Sequence, residues 1–425
     1  MRRGPRRVVK HINPFSIVTD MKLDEILKRI EASEEDMISD MCEMIRIPAI
    51  GPLNGGKGEG ERADKILQFL KGFDSIERID AADHHDPTVL RPNILARKNG
   101  KGKGTVWVVS HMDTVLPGDL DEWRTPPYKP TVKDRRIYGL GTEDNGQAVI
   151  GSIYGSRFVQ LNKDSRRSLG LAIVADEETT SLMGIEHLIK LGKFSDDDLF
   201  IVPDWGVPGG TMIEVAEKHL VWIKVSVEGK QTHGSTPNRG INAYRVSTKL
   251  LADLLDRLEQ RYPEQDDVFR PPFSTFEPTK SPATVGNVNT IPGYHEFYLD
   301  IRLLPSYDPD EMIEFVASVA KEYESTGARI SVSVEQRTYA GKPSPTDTED
   351  FKVFKESVMS VVGKEPETVG VGGGTCANFF RLRGLPAYVW QTGGGTLHQP
   401  NEYCEIDNLI SDAKVFATLF HRLCV

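Results

Sequence analysis

Cysteine is scarce in this chain. Its 425 residues include four, Cys42, Cys376, Cys404 and Cys424. They show no paired spacing of the kind a zinc ribbon or a disulfide scaffold uses, which points to a reducing compartment, the cytoplasm. Long apolar runs are also missing: no stretch reaches the ~18 apolar residues needed to span a bilayer. Positive charge is in deficit. With 52 Lys and Arg against 62 Asp and Glu the formal net charge is −10, which argues against nucleic acid or an anionic membrane as the partner. The basic start, Met1 to Lys10, has no signal-peptide core because His11, Asn13 and Pro14 interrupt it.

Residues 1–20 look unlike the rest, and Met21 opens an amphipathic pattern of Leu23, Ile26, Leu27 and Ile30. Two readings stay open: Met21 is the native start, or the first 20 residues are a translated, disordered basic tail. At 425 residues the chain is too long for one core and implies two domains, or one domain with an insertion.

What the sequence does have is a set of strands that end on chemistry. Thr105 to Ser110 is a β-branched and aromatic run without helical period, as expected of a buried strand, and it ends at His111 and Asp113. Leu169 to Ala175 stops at Asp176-Glu177-Glu178, and Leu199 to Pro203 stops at Asp204. Between the first two, a glycine-rich turn delivers Asp144 just before a helical pattern from Gln147 to Leu161. Ala387 to Trp390 leads through three glycines to His398. In an open parallel sheet the carboxyl ends of strands are where ligands bind.

A single His or Asp after a strand is ordinarily a loop residue or a helix cap. Several carboxylates converging in one place is a different matter, because without a cation they repel and raise one another's pKa. Mixed imidazole and carboxylate donors suit zinc, with cobalt or manganese as alternatives. Five such ligands exceed one open tetrahedral site and suit two divalent ions that share a bridging carboxylate, with a water between them.

These residues carry a resemblance. Ser-His-Met-Asp-Thr-Val, Gly-Leu-Gly-Thr-Glu-Asp-Asn-Gly, Asp-Glu-Glu, Pro-Asp and His-Gln-Pro-Asn-Glu resemble, in order, the motifs of the co-catalytic zinc hydrolases that include acetylornithine deacetylase, succinyl-diaminopimelate desuccinylase and glutamate carboxypeptidase. The resemblance runs from about residue 35 to the C-terminus. It implies that Asp144 bridges two metals, that His111 and Asp204 complete one site, and that Glu178 and His398 complete the other. It further implies that Glu177 is the general base and that Asp113 orients His111.

The remainder suggests the architecture. Ser33 should cap a helix running to Ile47 before Pro48, Ala49 to Glu61 reads as a mobile glycine-rich loop, and Arg62 to Phe73 as a helix. Strands and helices then alternate to Asp204, the signature of an α/β sheet. After Glu214 the pattern changes. Leu220 to Val227 and Arg329 to Val334 alternate, Ala243 to Tyr262 is amphipathic, and Asp308 should cap another helix. Glu296 to Leu304 alternates strictly, with Phe297, Leu299, Ile301 and Leu303 on one face and Arg302 on the other. Helical patterns follow from Asp350 to Val362 and from Leu409 to Leu423.

The expected fold is a mixed, mostly parallel α/β sheet flanked by helices, zinc-exopeptidase-like, with an inserted α+β, ferredoxin-like lid. The catalytic domain is then discontinuous, 21–214 and 336–425, with 215–335 as the lid.

By the resemblance, the lid also forms a homodimer interface. His233 would stabilise an oxyanion, often in the partner subunit's site, while Asn289, Arg302, Gly374 and Thr375 would hold the substrate carboxylate. Where many relatives have Asp and Arg in a Gly-Thr-Asp-Ala-Arg motif this chain has Cys376 and Asn378, and Thr236 stands where some desuccinylases have Tyr. The expected activity is hydrolysis of the amide of a small N-acyl amino acid. An exopeptidase acting on short peptides is the alternative within the family. A non-catalytic binding protein is the alternative outside it, disfavoured because all five ligands and Glu177 are present.

Overall fold

The structure, a computed structural model, describes residues 21–162, 164–283 and 285–425. The expectation for residues 1–20 lies outside these. The strand Thr105–His111 is buried along its whole length. Val106 and Val108 pack into the core on one side of the sheet, and Trp107 and Val109 into a second core on the other. That two-sided burial is why the run reads as continuously apolar. The sheet has eight strands in the order Ser75–Ala82, Leu90–Lys98, Ser168–Val174, Thr105–His111, Leu199–Val207, Ala387–Thr392, Met212–Glu217, Glu367–Val371. The central four run parallel, so their carboxyl ends share one edge.

Helices Gln147–Arg157 and Ile406–Cys424 cover one face. They approach so closely that a Cβ on Gly155 would lie 2.7 Å from the Ala413 carbonyl oxygen. Ile185–Lys190 and Ala377–Arg381 cover the other face.

The inserted segment forms its own antiparallel sheet in the order Thr275–Lys280, Tyr294–Leu303, His219–Glu228, Arg329–Thr338. Helices Ala243–Arg261 and Pro309–Glu322 share its core, giving the βαββαβ order of a ferredoxin-like unit. Phe297, Leu299, Ile301 and Leu303 face that core, and the Asp308 carboxylate caps the second helix at Asp310 N–H. The edge strand Thr275–Lys280 is legible only in the structure, because Pro278 interrupts its pattern. An edge strand tolerates the missing donor.

Three local expectations change. The Ser33 hydroxyl donates back to the Arg29 carbonyl at 2.9 Å instead of capping the next helix, because only Ala32 and Ser33 separate Leu23–Glu31 from Glu34–Ile45. Asp204 lies inside its strand, which runs on to Val207 past a register shift beside Pro203, where a ladder donor is missing. The segment 49–61 is pinned rather than loose: Glu59 is fully buried against Arg91, at 2.5 Å, and the helix already begins at Gly60.

Arg91 also meets Asp83 at 2.7 Å and Asp176 at 3.3 Å, with 1% of its side chain exposed. One buried cation thus serves three buried carboxylates, and burial, with the Asp113 charge adding to it, pushes the Glu59 carboxyl up against the pull of Arg91. Arg91→Met is expected to cost about 3–5 kcal/mol, because it leaves those acids uncompensated. Urea unfolding of the two proteins checks this, and a loss well under 1 kcal/mol would contradict the network.

Candidate metal centre

The donors gather along the carboxyl edge of the central strands, one at a strand end, one within a strand and the rest in the turns that follow. His111 closes its strand, and its Nε2 lies 2.9 Å from Asp144 Oδ1 and 3.2 Å from Asp204 Oδ1. The other Asp144 oxygen, Oδ2, lies 3.1 Å from His398 Nε2, which is itself 3.0 Å from Glu178 Oε2. The Asp144 carboxylate is therefore divided between two donor groups, His111–Asp144–Asp204 and Asp144–Glu178–His398. Within each group the ligand atoms lie inside 4.8 Å of one another. All five metal ligands expected from the sequence converge here.

The donor set fits two divalent cations. Glu178 Oε1 is buried without a hydrogen-bond partner, and a buried unpaired carboxylate oxygen is costly unless something coordinates it. The proton affinities agree. Burial opposes charge on His111, but Asp204, Asp113 and Asp144 outweigh it and lift the imidazole well above its usual value. Hydrogen bonds that its ring donates to the Asp144 and Glu178 carboxylates push His398 up to about 10. Burial, reinforced by Asp144, raises Glu178 to about 7. Burial would raise Asp144 too, yet its hydrogen bonds to His111 and His398 bring it well below the carboxylate range. The carboxylates thus favour positive charge on both imidazoles.

Glu177 stands apart from both donor groups. It lines a groove of about 170 Å³ with Thr179, Glu217, Lys218 and Gly374. Burial raises its pKa well above normal, and Asp204, Glu178 and Asp113 add to the rise.

Asp113 departs in detail from its expected part. His111 Nδ1 lies 3.1 Å from the Asp113 backbone carbonyl and 3.5 Å from its carboxylate. The two carboxylate oxygens instead accept the backbone N–H groups of Glu177 and Glu178, at 3.1 and 3.0 Å. Asp113 therefore aims the Glu177–Glu178 turn as well as the imidazole.

Four residues that sequence reasoning passed over hold the centre. Glu402 accepts the N–H groups of Gly141, Glu143 and Asp144. Glu143 accepts those of Gly394, Gly395 and Thr396, in the loop that carries His398. Asn145 bonds the Pro203 carbonyl, at 2.7 Å, and Asp204, at 2.9 Å. Asp176, at φ 64°, accepts from Thr180 and Met183 and holds the Glu177 turn. For Glu143 the available signal was an acid inside a glycine-rich stretch, Gly139 to Gly146, since backbone donors need acceptors once buried.

The expected substrate-binding residues fall into two places. Arg302 reaches the glycine run, donating to the Gly372 carbonyl at 2.6 Å while Asp300 pairs with it. Thr375 gives its N–H and hydroxyl to Glu217, beside Gly374. Burial and the neighbouring Glu214 raise Glu217 to about 8. His233 and Asn289 adjoin each other in the inserted unit, where Gly234 N–H donates to the Asn289 carbonyl at 2.7 Å. The His233 ring is exposed and bonds Ser235. Asn378 spans the return from the insertion, bonding Tyr339 and Gly341, which gives it a structural task where relatives place Arg.

The family model described as Peptidase family M20/M25/M40 matches residues 107–422. An uncharacterized metallohydrolase of Methanocaldococcus jannaschii is 36% identical over 406 residues, covering 90% of this chain and 98% of that protein. A succinyl-diaminopimelate desuccinylase of Stenotrophomonas maltophilia is 24% identical over 394 residues, covering 90% and 98%. In fold, the chain is similar to the di-peptidase Dug1p of Saccharomyces cerevisiae, with a TM-score of 0.72 at 17% identity over 95% of this chain and 99% of that one. The chain belongs to peptidase family M20/M25/M40 and is a metallohydrolase acting on carbon–nitrogen bonds.

Proposed function

We propose that the protein hydrolyses the amide bond of a small N-acyl amino acid, or of a short peptide, that bears a free carboxylate. The observation that carries this reading is the division of the Asp144 carboxylate between two imidazole and carboxylate groups. His111 and Asp204 would hold one divalent ion, Glu178 and His398 the other, with Asp144 shared. Zinc is first choice, with cobalt or manganese as alternatives. Such ions supply Lewis acidity toward the amide carbonyl and the attacking water.

The chain's own residues do the rest. Glu177, kept basic by its surroundings, takes the proton from the attacking water and delivers it to the leaving nitrogen. Asp113 fixes the turn from which Glu177 acts. Arg302 and the glycine run at Gly374–Thr375 bind the substrate carboxylate, with Asn289. His233 completes the oxyanion site of a partner subunit in a homodimer formed through the inserted unit, 215–335, which acts as a lid. The four cysteines are free and buried, which suits the cytoplasm. No helix of the described residues is long and apolar enough to cross a membrane.

A screen of N-acetyl, N-succinyl and dipeptide substrates with zinc- or cobalt-loaded protein tests the reading, and no turnover with metals confirmed bound would overturn it. Metal uptake should also release protons, because the neighbouring carboxylates raise the proton affinity of His111 and His398. Their raised pKa values set the sign: affinity falls as pH falls, with up to ~2 protons released per chain on loading near pH 7. Calorimetry in buffers of different ionisation enthalpy reads this, and no buffer dependence would contradict it. Chelation should in turn lower the melting temperature.

A further inference from the structure

The glycine run Gly373–Thr375 is a ridge with an opening on each side. On the Glu177 side the groove is polar, with Thr179, Thr180, Glu217 and Asn378 in its walls. Its cation is Lys218, whose Nζ donates to the Pro271 and Phe273 carbonyls, so two of three N–H groups are committed. On the Asp204 side lies a cavity of about 400 Å³, bounded by Trp205, Met212, Val369 and Val371, within the usual ~300–1,000 Å³ of small-molecule sites. Val369 and Val371 are buried, 1% and 9% exposed, and form its floor. The one cation at its rim, Arg270, is already answered by Glu367 at 2.6 Å.

We infer that the Asp204-side cavity is the acyl subsite and that the preferred substrate carries a bulky apolar acyl group, or an apolar N-terminal residue. The inference rests on the proposed amide hydrolysis. Glu177 must reach the leaving nitrogen, so the departing amino acid lies in the groove that Glu177 lines, with its carboxylate toward Gly374 and Thr375 in the same wall. The acyl half then crosses the ridge toward Asp204. A second carboxylate, such as that of a succinyl group, would be desolvated between Trp205, Met212 and the valines without a free partner, which is costly.

The test compares one amino acid carrying acetyl, butyryl, hexanoyl, phenylacetyl or succinyl groups, using the zinc-loaded protein. kcat/KM should rise from acetyl to hexanoyl by roughly fourfold per buried methylene, with succinyl at or below acetyl. Met212→Glu should lower kcat/KM for hexanoyl relative to acetyl by ~10-fold or more. A second readout needs no turnover. Acetate, hexanoate, phenylacetate and succinate are titrated against tryptophan emission, with Trp205→Phe as control. Tightening with chain length, lost in the control, supports the pocket even if no amide is cleaved, in which case only the proposed reaction fails. A flat or succinyl-preferring series in turnover, together with chain-length-independent binding, overturns the inference while leaving amide hydrolysis standing.

Discussion

Glu177→Gln is expected to lower kcat by at least ~10²-fold, the low end for general base catalysis, while metal content and KM stay near those of the parent protein. The amide keeps the volume of the carboxylate and cannot take a proton. The turn around it should survive, because Asp113 grips Glu177 by its backbone N–H, which the substitution does not touch. Metal should stay, because Glu178 and not Glu177 lies against His398 and belongs to a donor group. Substrate binding should stay as well, since the amide keeps the shape of the wall that Glu177 shares with Gly374 and Thr375. Loss confined to kcat is the signature of an interaction made in the transition state. Metal loss in Glu177→Gln with metal retained in Glu178→Gln would exchange the two carboxylates. Near-normal turnover would remove the mechanism.

The donors were legible in the sequence because each sits where an apolar strand gives way to a glycine or an acid, and that pattern is local. Phe297, Leu299, Ile301 and Leu303 announced their strand by alternation, and Asp308 announced its helix by the acids after it. What stayed hidden was set by partners far along the chain. Arg91 draws Glu59 from 32 residues away and Asp176 from 85, and turns an apparent loose loop into a fixed wall. Glu143 and Glu402 each serve the loop that carries the other's neighbour, across more than 250 residues. Neither can be recognised until the topology brings the two glycine-rich stretches together. The place of Asp204 within its strand follows from a register that only pairing with Ala387–Thr392 defines. The committed hydroxyl of Thr375 depends likewise on Glu217, 158 residues away.

Asp144→Asn should weaken metal binding at both sites by more than ~10²-fold, beyond the usual effect of altering a residue that only supports a ligand. One residue can do this because its two oxygens face different imidazoles, Oδ1 toward His111 and Oδ2 toward His398. His111→Ala and His398→Ala each remove a donor from one group only, so each should mainly lower the affinity of one site and leave a second ion measurable. The turn itself should persist in Asp144→Asn, since the Asp144 N–H is held by Glu402 and the neighbouring Gly141 and Glu143 N–H groups by the same carboxylate. Loss of metal would then report coordination, not unfolding. Two controls separate these. Chelator should no longer lower the melting temperature of Asp144→Asn, because no bound ion remains to stabilise the folded state by mass action. Without metal, the His398 imidazole should titrate at lower pH than in the parent protein, because its largest upward influence is the hydrogen bond it donates to the Asp144 carboxylate. Metal analysis per chain, before and after dialysis, decides the matter: equal, partial losses in all three variants would mean that Asp144 is not shared and that the two groups are independent sites.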